Sequence, residues 1–384
     1  YNTGSVSGNN YVGGVCGWND GRTIESCHNA GIVTGDEGVG GVCGKSDLGT
    51  IENCHNEGTV TGNCNVGGVC GRNEGTIEIC YNTGTVIGSD EVGGVCGYNS
   101  GTIQTSYNAG TVSGTDYVGG VCGYNSATIQ TSYNTGPVSG SSGVVGGVCG
   151  FSDEGTILNC YNTGTVSGSS GEVGGVCGYN LGTIQTSYNT GTVTGSIVGG
   201  VCGYNGGTIE NCYYNVEVCQ VEKAVGYGST GTNVKGLTTT QMTGKIGSRR
   251  AMKMMKGFDQ SVWKFSEDKD GKRYYPHLLG FSTEPQIAYD MYIYTKDDLK
   301  TFSDNVNAGG SNLCAKVTSD IVWNDGTFDN VGNFTKSDGS SGAPEQWTPI
   351  GYEDKPYTGI FDGGNHTIKG LYVNSTSDNV GLFG

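Results

Sequence analysis

Positive charge, proline, histidine and long hydrophobic runs are all scarce in this chain of 384 residues. Its 20 Lys and Arg face 36 Asp and Glu, which gives a formal net charge of −16, and only four residues are His. Such an acidic chain lacks the basic footprint that nucleic-acid phosphates require, so we expect no nucleic-acid partner. No apolar run reaches the roughly 18 residues that span a bilayer, so we expect no membrane insertion in this segment.

A helical apolar period is also missing before about residue 239, and the 73 glycines follow no G-X-Y triplet. The lack of a triplet excludes collagen, and regularly spaced Val, Ile and Tyr are atypical of low-complexity chains. Short β-like segments are present instead, separated by Gly, Asn and Ser, such as VGGVCGYN, TIQTSYN and GTVSG.

One of these segments, VGGVCG, recurs eight times at intervals of 25–28 residues. A period of this length indicates stacked units that cannot bury their apolar faces alone. We therefore predict an all-β fold, a β-solenoid of stacked 25–28-residue coils. Tight corners need positive φ, so we expect glycines such as Gly13 and Gly14 to turn the chain and to allow close backbone approach. The recurring cysteines, called the thiol column below, are Cys16, Cys43, Cys70, Cys96, Cys122, Cys149, Cys177 and Cys202.

The full repeat, VGGVCGYN-GTI-x-x-C/S-YN-x-G-x-V-S/T-G, resembles the GLUG-motif repeat over residues 1–215 and again near 357–384. That family occurs in large bacterial surface and secreted proteins, including adhesins and the non-catalytic part of some immunoglobulin-A metallopeptidases. The resemblance implies an extracellular or cell-surface location in a bacterium. Because the family is defined by a structural motif, the resemblance implies no activity. The usual VGGLVG reads VGGVCG here, so the cysteine is particular to this chain.

A second cysteine row follows 10 or 11 residues after the first, and serine replaces cysteine in three coils. Cys96, Cys122 and Cys177 keep their sulfur where the second row has serine, so a disulfide within each coil is not the rule. We predict mostly free, buried thiols that pack as small apolar groups, with a disulfide framework as the alternative. The second cysteine row is Cys27, Cys54, Cys80, Ser106, Ser132, Cys160, Ser187 and Cys212. The cysteines outside both rows are better candidates for reactive or paired thiols: Cys64, Cys219 and Cys314.

Two aromatic columns run through the same repeats. The tyrosine column comprises Tyr1, His28, His55, Tyr81, Tyr107, Tyr133, Tyr161, Tyr188 and Tyr213. The outer aromatic column comprises Trp18, Lys45, Arg72, Tyr98, Tyr124, Phe151, Tyr179 and Tyr204, and its Lys and Arg predict that it reaches solvent. Stacking between coils, at roughly 0.2–1 kcal/mol per pair, explains both columns as structure. Flat rings also suit sugars or a partner protein, which makes the rings of the outer column a binding hypothesis: Trp18, Tyr98, Tyr124, Phe151, Tyr179 and Tyr204.

His28 and His55 lie one period apart, which would place the two imidazoles about 4.8 Å from each other in stacked coils. Zinc is one interpretation of such a pair. The neighbouring Cys27 and Cys54 face the opposite side of the strand, however, and no CxxC pair is present. We interpret the histidines as variants of the tyrosine column and expect no metal and no cofactor.

Three segments follow from the pattern: a solenoid of about eight coils over 1–215, a C-terminal cap over 216–280, and the start of a second solenoid over 281–384. The cap is predicted as a helix at 239–256 and a hairpin formed by SVWKF and KRYYPHL. After a linker-like stretch at 282–294, Thr295 is expected to cap a helix over KDDLKTFSDNVN. The chain begins and ends within a repeat, so we expect it to be an excerpt of a longer polypeptide.

No enzyme signature accompanies the repeats. Acidic residues are scattered over corner loops, and HExxH, GxSxG and P-loop patterns are missing from the sequence. We predict a non-catalytic extracellular scaffold, a rigid rod for adhesion, display or filament-like assembly. Expected partners are other copies or modules of the same protein, or a host or microbial surface glycan or protein. The alternatives are a glycan-binding module and the non-catalytic region of a larger secreted enzyme.

Overall fold

The structure is a computed structural model that describes residues 1–243, 251, 253–266, 272–281, 286–329, 333–340, 342–375 and 380–384. The chain forms two compact units. The first contains residues 1–242 with 253–265 and 276–281, and the second contains 272–275 and the described residues from 286 onward. None of the described helices is both long enough and apolar enough to cross a bilayer.

Five parallel sheets build the first unit, and every coil contributes one strand to each sheet. Equivalent residues of neighbouring coils are ladder partners, so Cys43 lies opposite Cys70 and Ile51 lies opposite Ile77. Because short Val-, Ile- and Tyr-rich segments favour strands, each coil folds as five strands joined by tight corners. The predicted β-solenoid is confirmed.

The five sheets are named here by a shared residue, in the order in which a coil visits them. The valine sheet has the strands Val6–Ser7, Val33–Thr34, Val60–Thr61, Val86–Ile87, Val112–Gly114, Val138–Gly140, Val166–Gly168 and Val193–Thr194. The glycine sheet has the strands Asn10–Gly13, Glu37–Gly40, Cys64–Gly67, Asp90–Gly93, Asp116–Gly119, Val145–Gly146, Glu172–Gly174 and Ile197–Gly199.

The other three sheets complete the coil. The cysteine sheet has the strands Cys16–Asp20, Cys43–Asp47, Cys70–Asn73, Cys96–Asn99, Cys122–Asn125, Cys149–Ser152, Cys177–Asn180, Cys202–Asn205 and Val225–Gly228. The isoleucine sheet has the strands Thr23–Glu25, Thr50–Glu52, Thr76–Glu78, Thr102–Gln104, Thr128–Gln130, Thr156–Leu158, Thr183–Gln185 and Thr208–Glu210. The tyrosine sheet has the strands His28–Asn29, His55–Asn56, Tyr81–Asn82, Tyr107–Asn108, Tyr133–Asn134, Tyr161–Asn162, Tyr188–Asn189, Tyr213–Asn215 and Lys235–Leu237.

The core of the solenoid is a continuous stack of small apolar side chains. In a single coil Val39, Val42, Cys43, Ile51 and Val60 are all fully buried, and their equivalents continue the stack through later coils. Each buried Val or Ile contributes roughly 1.5–3 kcal/mol relative to an exposed one. No coil could bury these residues alone, so stability depends on neighbouring coils.

The residues with left-handed backbone at one corner of the coil are not the predicted glycines. The corner after each isoleucine-sheet strand is left-handed, with φ of 45–55°, yet it is occupied by Ser, Asn, Ile or Thr, such as Ile79 and Thr105. Gly13 and Gly14 do not have positive φ. A Cβ on Gly13 would lie 2.0 Å from the Cys16 carbonyl oxygen, and one on Gly14 would lie 2.4 Å from that of Gly41. The expectation of close approach is therefore confirmed, whereas the expectation of glycine at the left-handed corner is wrong.

Residues after 215 extend two of the sheets before the chain leaves the solenoid. Helix α1 (Val216–Cys219) is followed by the final strands of the cysteine and tyrosine sheets, so the ladders continue to Leu237. Helix α2 (Thr239–Thr243) begins the predicted 239–256 helix, and residues 251, 253 and 254 are also helical, whereas 244–250 and 252 lie outside the described residues. The predicted hairpin segments pair antiparallel through the strands Trp263–Lys264 and His277–Leu278.

The second unit combines a helix with short, mostly parallel strands. Helix α3 (Lys296–Asn307) is capped by Thr295, whose side chain accepts from the Asp298 amide in a reciprocal capping box, as predicted. Residues 282–294 are not only a linker, because Ile287–Ala288 and Met291–Ile293 are strands. Three pairs are parallel: Met291–Ile293 with Ala315–Val317, Ala315–Val317 with Phe361–Asp362, and Ile321–Val322 with Ile368–Lys369. Two pairs are antiparallel: Arg273–Tyr274 with Ile287–Ala288, and Gly326–Phe328 with Phe334–Lys336.

Candidate functional site

The outer aromatic column lies along the cysteine sheet and is the most exposed aromatic surface of the solenoid. Its members are ladder partners, so that Tyr98 lies opposite Tyr124 and Tyr124 opposite Phe151. From Tyr98 to Tyr204 the ring centroids are 4.3–5.2 Å apart and the ring planes differ by 10–23°. The structure therefore brings five of the six predicted binding residues into one continuous stack.

The column has one member that the sequence prediction missed. Tyr227 lies opposite Tyr204 on the last strand of the cysteine sheet, with its ring 5.6 Å away, and it is 66% exposed. The segment AVGYGS around it repeats the spacing of VCGYNS without the cysteine. That degenerate repeat is the signal that could have identified Tyr227.

Because the rings of the outer aromatic column stack on one another, their faces are mostly covered and their edges are exposed to solvent. Each inner ring, such as that of Tyr124, is covered on both faces by its neighbours in the column. Only ring edges and phenol hydroxyl groups remain accessible along most of its length, and the Tyr124 hydroxyl donates to Asp153 at 2.7 Å. A sugar ring stacks on an aromatic face, so most of the column does not offer the surface that the glycan hypothesis assumed.

Charged residues continue the column toward its sixth predicted member, Trp18, which is 58% exposed. The Lys45 ammonium lies 5.4 Å from the Trp18 ring, and the Arg72 guanidinium lies 4.8 Å from the Tyr98 ring. Both contacts are cation–π interactions, so the stack passes through the two basic residues. Lys45 also pairs with Asp47 at 2.9 Å, and this bond raises the pKa of its ammonium.

The tyrosine column stacks in the same way, with centroids 3.9–5.1 Å apart from His28 to Tyr188. Its C-terminal half is buried under the cap segment, where Phe281 packs edge-on against Tyr133 and Trp263 packs against Tyr188. The Tyr188 hydroxyl donates to the Pro276 carbonyl at 2.6 Å. The half nearer the N-terminus stays half-buried. This column is thus structural at one end and accessible at the other.

All sixteen cysteines are free thiols, and thirteen of them are buried, so the prediction of mostly free, buried thiols is confirmed. In the thiol column the seven S–H groups from Cys43 to Cys202 donate to the carbonyl two residues ahead, as from Cys96 to Tyr98 at 3.1 Å and from Cys122 to Tyr124 at 3.1 Å. Burial raises the pKa of most of these thiols, Cys122 among them, whereas hydrogen bonds from neighbouring thiols lower the pKa of Cys96 and of Cys177 despite their burial. From Cys43 to Cys202 the column is buried, so these thiols are shielded from solvent and from reagents.

The three cysteines outside the rows are not paired either. Cys219 and Cys314 are buried, and burial raises the pKa of both thiols. Cys64 is half-buried, and its burial together with the nearby Glu91 and Asp90 carboxylates raises its pKa to about 11. The expectation that these cysteines are reactive or paired is wrong, because their surroundings disfavour the thiolate.

The second cysteine row has a role that the sequence prediction missed. The Cys27 amide donates to the Cys54 sulfur at 3.2 Å, and the Cys80 amide donates to the Ser106 hydroxyl at 3.1 Å. Each of these side chains also donates to a carbonyl two residues before it, as from Ser106 to Gln104 at 2.8 Å. The row is a chain of hydrogen bonds between coils, which explains why Ser replaces Cys there. The cysteines of this row, such as Cys54 and Cys80, also lie in the buried apolar core, so the predicted apolar packing is confirmed and the hydrogen bonds add to it.

Buried asparagines supply further bonds between coils. In the tyrosine sheet the Asn56 amide donates to the Gly58 carbonyl and to the Asn82 side-chain oxygen, both at 2.8 Å, and the pattern continues to Asn189. A second amide ladder follows the outer aromatic column and contains Asn99 and Asn125, 2.8 Å apart. Both ladders therefore bond each coil to its neighbours through buried side chains.

One segment of the solenoid also matches a known family. The model of the GLUG motif matches residues 35–61, and this segment contributes one strand to each of the five sheets. The matched coil is a GLUG-motif repeat. Its ladder partners on either side have the same residue types, as in the series Val39, Val66 and Val92.

One solved structure also shows similarity to this chain. A crystal structure of a candidate immunoglobulin A1 protease from Bacteroides ovatus is 21% identical, with a TM-score of 0.39, and the match covers 65% of this chain and 75% of that chain. No curated protein matches this chain.

Proposed function

We propose that this GLUG solenoid is the non-catalytic, load-bearing rod of a secreted or surface-attached bacterial protein. It would hold adhesive or display modules at a fixed distance, whether the parent protein is an adhesin or a larger secreted enzyme. The observation that carries the proposal is the unbroken, in-register pairing of all five sheets through eight coils.

Polar groups that could serve a reaction are instead used between the coils. The buried asparagines bond to one another, the second cysteine row bonds to neighbouring amides, and burial shields most of the thiols from solvent. Such contacts join each coil only to its neighbours, so bending or stretching the solenoid breaks many hydrogen bonds together. This arrangement supports a mechanical role in preference to a chemical one.

Force spectroscopy on the full chain, tethered at its two ends, tests the rod directly. We expect the GLUG coils to resist extension and then to unfold in increments of one or a few coils. Gradual extension at low force, without such increments, would refute the rod. Hydrolysis or elimination of a polysaccharide or peptide by the full chain would refute its non-catalytic character.

A glycan contact is the second candidate, and it is favoured at one place by the exposure of Tyr227. Its ring ends the outer aromatic column, with Tyr204 on one side and Lys223 and Thr230 lining the same surface depression. A glycan array would test it. If binding occurs there, Tyr227→Ala should abolish it, whereas Thr111→Ala, at an exposed position that does not line this depression, should not.

A further inference from the structure

Two histidines and a glutamate from neighbouring coils meet at the accessible end of the tyrosine column. His28 and His55 are ladder partners, and Glu57 follows His55 by two residues. Asn56 between them is fully buried, so His55 and Glu57 project from the same side of the strand. One ligand atom from each of the three side chains lies within 4.8 Å of the others.

The distances are close to those of a metal centre. The His28 Nε2 atom lies 3.3 Å from one Glu57 carboxylate oxygen, and the His55 Nε2 atom lies 3.8 Å from the other. Zinc bound at about 2.0–2.1 Å in tetrahedral geometry holds its ligand atoms roughly 3.3–3.4 Å apart. Because Glu57 is about half exposed, with 51% of its side-chain surface accessible, a change of its rotamer can move its carboxylate closer to the imidazoles.

The imidazole pair also departs from the pairs that follow it in the column, and the pair before it, Tyr1 with His28, is edge-on at 77°. The planes of His28 and His55 differ by 24°, whereas those of the five following pairs differ by only 3–8°. Two imidazoles that bind one ion must direct a ring nitrogen each toward a common point, so their ring planes cannot stay parallel. The 24° angle between the His28 and His55 rings is a step in that direction. The interpretation of the histidines as simple variants of tyrosine does not account for this angle.

An imidazole nitrogen without a hydrogen bond also favours a ligand role. The His28 Nε2 atom is buried and makes no hydrogen bond within the described part of the chain. A bound cation would supply the missing partner of this nitrogen.

We propose that His28, His55 and Glu57 bind one divalent transition-metal ion, for which zinc best matches two imidazoles and a carboxylate, with water as the fourth ligand. The ion would join two adjacent coils through side chains of both. In the remaining coils tyrosine occupies the histidine position, so the site is confined to this pair of coils.

The repeat itself supplies substitutions that the fold accepts elsewhere. His55→Tyr introduces the residue of the Tyr81 position, and Glu57→Thr introduces that of the Thr83 position. Zinc titration of the metal-free full chain, followed by calorimetry, should give one equivalent bound. Each of the two variants should weaken this binding on the order of 100-fold or more. Cobalt should give the absorption of a four-coordinate site in the unchanged chain and lose it in both variants.

Thiols are the competing zinc ligands, and a matched control separates them. Cys27→Ser and Cys54→Ser again introduce a residue that the row already contains, and they should leave the stoichiometry and affinity unchanged. The proposal is overturned if the unchanged chain binds no zinc. It is equally overturned if zinc binding survives His55→Tyr and Glu57→Thr but is lost in the cysteine variants.

Discussion

Replacing a single buried asparagine should destabilise the GLUG solenoid by more than any surface substitution. Asn108 is fully buried, and its amide donates to the Gly110 carbonyl and to the Asn134 side-chain oxygen, both at 2.8 Å. Its own oxygen accepts from the Asn82 amide at 2.8 Å. In Asn108→Ala the Gly110 and Asn134 oxygens lose this donor, and the Asn82 amide loses its acceptor. At about 1–3 kcal/mol for each buried unsatisfied group, we expect a loss of about 3–9 kcal/mol.

The measurement must follow the coil itself, because repeat solenoids need not unfold in a single step. Hydrogen exchange of peptides that cover residues 94–134 should accelerate strongly in Asn108→Ala, and the urea midpoint should fall. Thr111→Ala is the matched control, since Thr111 is exposed in the same coil and should change stability by at most about 0.5 kcal/mol. If Asn108→Ala exchanges and unfolds like Thr111→Ala, the ladder is not a source of stability and the reasoning is wrong.

Three further predictions concern the cysteines and one buried carboxylate. Cys80→Ser should change the urea midpoint little, because serine can accept the hydrogen bond from the Cys54 amide. Cys80→Val cannot accept it and should lower the free energy of unfolding by about 1–3 kcal/mol. Equal losses in the two variants would contradict the role of Cys80 as a hydrogen-bond acceptor. A thiol reagent should label fewer than four cysteines in the folded chain at pH 8 and sixteen after denaturation, and a total near zero would indicate disulfides. Burial and the nearby Asp90 raise the pKa of Glu91 from its ordinary 4.5 to about 7. Between these two pH values the folded chain holds a proton that the unfolded chain releases, so the free energy of unfolding falls as the pH rises from about 4.5 to about 7. Glu91→Gln should therefore raise the Tm at pH 8 and change it little at pH 4, and an equal gain at both would refute the assignment.

Periodicity was sufficient to predict the solenoid and its vertical columns. Each strand pairs with the equivalent strand one period later, so residues that are one period apart, such as Cys96, Cys122 and Cys149, become ladder partners. The α3 helix was equally predictable, because the Thr295–Asp298 cap is local in sequence. The corner prediction failed because Ile79 and Thr105 hold left-handed backbone that their intrinsic preferences oppose, and the paired strands on either side compensate.

The candidate sites depended on information that is not local. Whether a stacked ring offers its face or its edge depends on the tilt of its neighbours, which no spacing encodes. Likewise, nothing in the local sequence identifies Glu57 as a metal ligand. Only the fold places its carboxylate beside the imidazoles of two coils.

The sequence alone determined the coil, its length and the columns, because a repeated strand pattern admits one in-register stack. Only the tertiary structure decided which columns are buried. Trp263 and Phe281 return from beyond the repeats to cover the later tyrosines and leave the histidine end accessible. The contacts of Trp263 and Phe281 with these tyrosines join residues about 75 positions or more apart, such as Tyr188 with Trp263, which a local pattern does not encode.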